Sequence, residues 1–127
     1  LEQYRDELSH FKLMNDTLER IGADPTAMTP AASLTAVEGS GLLKVIVDPR
    51  TTLPQALHAL LLAESADVEG WGALIDIADS ISQNDLATQF REAERTEQLH
   101  QQRVREWLLG ATRADAHRDL ETRGTTH

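Results

Sequence analysis

Glu97-Gln98-Leu99-His100 lies in the middle of a long amphipathic segment whose apolar positions are Leu86, Phe90, Ala93, Val104, Trp107 and Leu108. Stepping by threes and fours from Phe90 gives Ala93, Glu97, His100, Val104 and Trp107. A glutamate and a histidine therefore stand on two steps where helical periodicity expects core residues. An ionised carboxylate facing a helical core is costly unless something pairs with it. A bound metal is one such partner, and Glu-x-x-His on a helix is a spacing that metals use.

Outward from this stretch, the periodicity predicts helices over about 85–109 and 53–82. Asp85 and Thr52 are N-cap candidates, and Pro54 suits a first turn. The earlier of the two carries one continuous face of Leu57, Leu60, Leu61, Glu64, Val68, Trp71, Leu74, Ile75 and Ala78. The join near Ser82 is short, so the two helices should pack antiparallel. Glu64, Glu97 and His100 then fall at matching heights, each roughly 25 Å from the turn at about 1.5 Å per residue. Trp71 and Trp107 are expected in the core. Glu69 is expected on the outer side with Ser65, Gly72 and Asp76. Glu92, Glu94, Arg95, Arg103 and Arg105 are expected to form a charged exterior.

A first helix is expected over about 1–21, with Glu7, Phe11, Met14, Leu18 and Ile21 on its stripe and Gly22 as its stop. It repeats the motif as Glu7-Leu8-Ser9-His10. Positions i and i+3 share a helix face, so each pair could offer one carboxylate and one imidazole to one ion. The connection from Ala23 to Thr52 is long enough to cross a bundle. It should contain a short, broken helix over about 34–47, capped by Ser33 and weakened by Gly39 and Gly41. The chain opens on Leu1 in what reads as the interior of a helix, which suggests that something precedes it. After Gly110, residues 111–127 read as a polar tail, either a frayed helix or disordered.

The whole composition agrees with helices. Of 127 residues 40% are hydrophobic and only 4% aromatic, so the core is built from aliphatic side chains. Hairpin signals are missing, which argues against a sheet. The formal net charge of −9 disfavours a nucleic-acid surface. With no cysteine, disulfides and zinc–thiolate sites are excluded. No apolar run approaches membrane-spanning length and no secretory signal is visible, so a cytoplasmic protein without a membrane partner is expected.

One Glu-x-x-His is weak evidence; two on core-facing steps, with a third inward glutamate at matching height, are much stronger. Their order resembles the ferritin-like superfamily of carboxylate-bridged di-metal proteins. In that pattern a lone Glu is followed by Glu-x-x-His, a long crossover, a second lone Glu and a second Glu-x-x-His. Glu7 and His10 match the second helix, Glu64 the third, and Glu97 and His100 the fourth; the first helix has no counterpart here. The wording around residues 24–30 and 48–52 is also similar to small bacterial ferritin-like domain proteins. The resemblance covers about residues 1–109, within a domain expected over 1–110, and implies an all-α, four-helix bundle with a long crossover. It implies two iron ions or manganese held by Glu7, His10, Glu64, Glu97 and His100. It further implies ferroxidase, peroxide-handling or oxygenase chemistry, and a homo-oligomer that covers the face left open by the missing helix. The alternative is a metal-free helical interaction or stress-related protein in which these glutamates pair with inward arginines.

Overall fold

Thr52 opens the longest apolar stretch, and its side chain decides where that stretch starts to coil. The Thr52 hydroxyl accepts from the Gln55 backbone N–H, and the Gln55 side chain accepts from the Thr52 N–H, a reciprocal capping box with Pro54 in the first turn. The structure, a computed structural model, describes residues 2–124. Leu1 and residues 125–127, parts of the expected first helix and polar tail, lie outside the described residues. Four helices follow in order: α1 (Glu2–Arg20), α2 (Pro30–Val47), α3 (Leu53–Ser80) and α4 (Asn84–Gly124). The described residues contain no strand. The chain divides into two compact units, Leu1–Glu38 and Gly39–His127, with the boundary inside α2.

In the first unit, α1 ends as its sequence predicts. Gly22 takes a φ of +78° and donates to the Glu19 carbonyl, while the Ala23 N–H reaches back to Leu18. This is a Schellman closure, and glycine takes its left-handed position without Cβ strain. The covered face of α1 is rotated from the expected stripe. Thr17 is buried and Asp6, His10, Leu13 and Met14 are half-buried, whereas Phe11 and Ile21 are exposed. The covered line is largely polar, so hydrophobicity alone marks the wrong side.

In α2 the expected start at Ser33 is corrected. Thr29 is the cap: its hydroxyl accepts from the Ala32 N–H at 3.1 Å, and Pro30 supplies a fixed φ at the first position. Gly39 and Gly41 do not break the helix, since each costs only about 1 kcal/mol against alanine. Their persistence joins two short apolar pieces into one of 18 residues with mean hydropathy 1.2. By length and composition that helix could cross a membrane, which corrects the expectation that no run approaches such a length. None of its residues is buried.

The second unit is organised by α3 and α4, which pack against each other along an antiparallel seam. Ala59, Trp71, Ile75 and Ala78 of α3 meet Leu86, Ala87, Phe90, Ala93 and Val104 of α4 in its core. Trp71 and Phe90 touch with ring centroids 5.7 Å apart at a 46° tilt. The turn between the helices is another Schellman closure. Ser82 takes the left-handed position (φ +58°), its N–H bonds to Asp79, and the Gln83 N–H bonds to Ala78 at 2.8 Å. Trp107 is half exposed, against the expectation that it lies in the core. The expected stop at Gly110 is also corrected. α4 reads through to Gly124, because Ala111, Ala114 and Ala116 favour helix and the start of α3 still lies beside Ala114 and Arg118.

Candidate metal centre

The middle of the α3–α4 seam places charge where its ends place hydrocarbon. Glu64 on α3, and Glu97 and His100 on α4, are 4%, 1% and 2% exposed. Each is held there by its own helix stripe: Glu64 shares one with Trp71, and Glu97 and His100 share theirs with Phe90, Ala93 and Val104. The His100 Nδ1 lies 3.2 Å from the Glu97 Oε2 and 3.8 Å from the Glu64 Oε2. The first distance is an i,i+3 contact within α4, and the second crosses the seam at the height that the spacing predicts. One ligand atom from each of these residues lies within 4.8 Å of the others.

That separation suits a shared cation. Six ligands at about 2.1 Å from a metal stand about 3 Å from their neighbours and about 4.2 Å from their opposites. The observed spacings fall close to this range, so small side-chain rotations would let the three donors share one ion. Two carboxylates and an imidazole, without sulfur, match the preferences of iron and manganese. Without an ion, the same contact lets the imidazole N–H donate to Glu97, or a protonated His100 pair with both carboxylates.

Of the five expected ligands, the structure brings Glu64, Glu97 and His100 together. Glu7 and His10 lie on α1, in the first unit; Glu7 is exposed and His10 half-buried. Arg50, Arg91 and Arg118 pair with Asp48, Asp79 and Asp115 towards the outside of the protein. The expectation that Ser65 and Gly72 point outward is corrected. Both are half-buried and face α4: the Ser65 hydroxyl accepts from the Gln101 amide at 3.0 Å, and a Cβ on Gly72 would stand 3.4 Å from the Glu94 Oε1. The signal for this in the sequence is the smallness of residues 65 and 72, seven apart, which lets a second helix approach. Glu69 is exposed as expected, whereas Glu94 is half-buried.

Asp24 and Asp48 have their protonation displaced in a clear direction. The Thr26 hydroxyl and then the Thr26 N–H hold Asp24 below its ordinary value of 3.8. The Arg50 side chain and then the Arg50 N–H do the same for Asp48. Both lie in exposed turns and play no part in the buried cluster.

Compared with known proteins, the chain matches no family model, no curated protein and no solved structure.

Proposed function

We propose that this chain is a ferritin-like helical protein that binds two iron or manganese ions and handles dioxygen or peroxide, as a ferroxidase does. The observation that carries the reading is the buried cluster of Glu64, Glu97 and His100, whose ligand atoms lie within 4.8 Å of one another. In a dry helical core this set is expensive to keep without a specific use. Glu7 and His10 complete the ligand set in this reading, on the order of the motifs along the chain. A redox-active pair of ions supplies electrons to the oxidant; the protein's part is to hold oxygen and nitrogen donors in a water-poor layer. A homo-oligomer is part of the same proposal, as is a cytoplasmic location.

The test is metal content by elemental mass spectrometry, on protein purified without a histidine tag or chelator. About two iron or manganese ions per chain, with at least one lost in Glu97→Ala, is the expected result. No bound metal after anaerobic ferrous loading overturns the proposal. That outcome favours a metal-free interaction protein, a reading supported by the exposed Leu34, Val37, Leu43 and Val47 of α2.

A further inference from the structure

Hydrophobic contact along the α3–α4 seam sets how close the helices lie but is non-directional. A hydrogen bond across the seam adds directional fixing to the packing of the side chains. Such a bond stands beside the buried cluster. Ser65 directly follows Glu64 on α3, and Gln101 directly follows His100 on α4. The Ser65 hydroxyl donates to the Leu61 carbonyl one turn back at 2.7 Å, and accepts from the Gln101 amide at 3.0 Å. Both contacts are partly buried.

The two bonds have a fixed sense. Because the hydroxyl proton is committed to Leu61, the oxygen turns a lone pair towards α4, and only a donor can meet it there. A glutamine at 101 supplies that donor; a glutamate cannot. A slide of one residue along a helix moves a side chain about 1.5 Å and turns it by about 100°. A much smaller slide already separates Glu64 from His100, now 3.8 Å away.

We propose that Ser65 and Gln101 form a clasp that sets the register of Glu64 on α3 against Glu97 and His100 on α4, and so act as positioning residues for the cation. This rests on the reading of the cluster as a cation site. The clasp touches no expected ligand atom; it acts through the two backbones on which the ligands stand. Partners bonded directly to metal ligands commonly change affinity about 10- to 100-fold when removed, and a clasp one residue away belongs at the low end of that range.

The test titrates Mn2+ into the parent, Ser65→Ala, Gln101→Ala, the double variant and Ser65→Thr. Visible spectra of the Co2+-loaded proteins report coordination geometry, and thermal unfolding without metal is recorded alongside. Each single alanine variant should bind Mn2+ about tenfold more weakly and shift the Co2+ bands. The double variant should be little worse than the weaker single, because the two side chains act as one unit. Ser65→Thr keeps the hydroxyl and should restore affinity. Loss of thermal stability with unchanged Mn2+ affinity and Co2+ spectrum overturns the clasp as a positioning device, and so do fully additive effects. A parent that binds neither ion overturns the cation reading, and the inference falls with it; a parent that binds while the variants match it sinks the inference alone.

Discussion

Glu7-Leu8-Ser9-His10 and Glu97-Gln98-Leu99-His100 share a spacing and a helical conformation, yet they differ in burial. Glu97 and His100 are buried, between Ala93 and Val104 on one stripe. Glu7 is exposed and His10 half-buried, with Tyr4 and Phe11 on the outside of their helix. The difference shows what a spacing can and cannot encode. An i,i+3 pair guarantees that two side chains share a face. Which face is covered depends on the packing of the whole helix. In α4 the flanking apolar residues of the stripe, Phe90, Ala93 and Val104, are all buried, whereas in α1 the neighbouring Phe11 is exposed.

The sharpest way to break the comparison uses phenylalanines. Phe90 is 3% exposed and touches Trp71, whereas Phe11 is 66% exposed. Phe90→Ala should cost about 3–5 kcal/mol, the transfer and cavity cost of a buried aromatic. Phe11→Ala should stay within about 0.5 kcal/mol. Chemical denaturation followed by helical circular dichroism measures both. Equal costs would show that the stripe through Phe11 is buried in solution, and that the two motifs are more alike than their exposures indicate.

The histidines come next. In metal-free protein His100→Ala leaves Glu64 and Glu97 without the imidazole between them, and removing one member of a buried ionic cluster costs about 3 kcal/mol. His10→Ala should cost about 1 kcal/mol or less, as a half-buried position does. The same denaturation series reads both. If His100→Ala is neutral, the carboxylates already carry protons or other compensation, and the cluster is less strongly charged than its donor set suggests.

These contrasts also mark what could be read in the sequence. Thr52 with Pro54, Gly22, and the matching heights of Glu64 and His100 were legible because each rests on local chemistry or on counting along a helix. Thr29 was missed as a cap because Ser33 stands nearer the apolar run. The read-through at Gly110 was missed because a glycine signals a stop only when its backbone turns left-handed, and here it does not. The covered side of α1 was missed because its line of Asp6, His10, Leu13 and Thr17 is mostly polar. Ser65 was misplaced for the same reason: its hydrogen bond with Gln101 across the seam leaves no hydrophobic trace.

A smaller contrast concerns the two Schellman closures. Gly22 and Ser82 hold the same left-handed position, at φ +78° and +58°. A Cβ there is strained at either site, and only Ser82 carries one. Ser82→Gly should therefore raise stability by about 0.5–1 kcal/mol, and Gly22→Ala should lower it by about 1 kcal/mol. A loss in Ser82→Gly would mean that the serine restricts the unfolded chain by more than it strains the turn.

The smallest expected effect separates the two Asp-Pro turns. Asp24 precedes Pro25 in the first unit and Asp48 precedes Pro49 in the second, and both carboxyls titrate below the ordinary 3.8. A depressed folded value means that each stabilises its turn above pH 3.8 and loses that contribution as pH falls through the lower folded value. The causes differ. Asp24 accepts from a neutral hydroxyl at 2.6 Å, whereas Asp48 accepts from the Arg50 guanidinium at 2.7 and 3.0 Å. Salt screens the second and leaves the first almost untouched. Carboxyl carbon chemical shifts followed from pH 6 to 2 at about 0.05 and 1 M salt should show the Asp48 midpoint rising with salt while that of Asp24 holds. Equal shifts would mean that the backbone N–H of residue 50, not its side chain, dominates at Asp48. The two turns would then be chemically the same device.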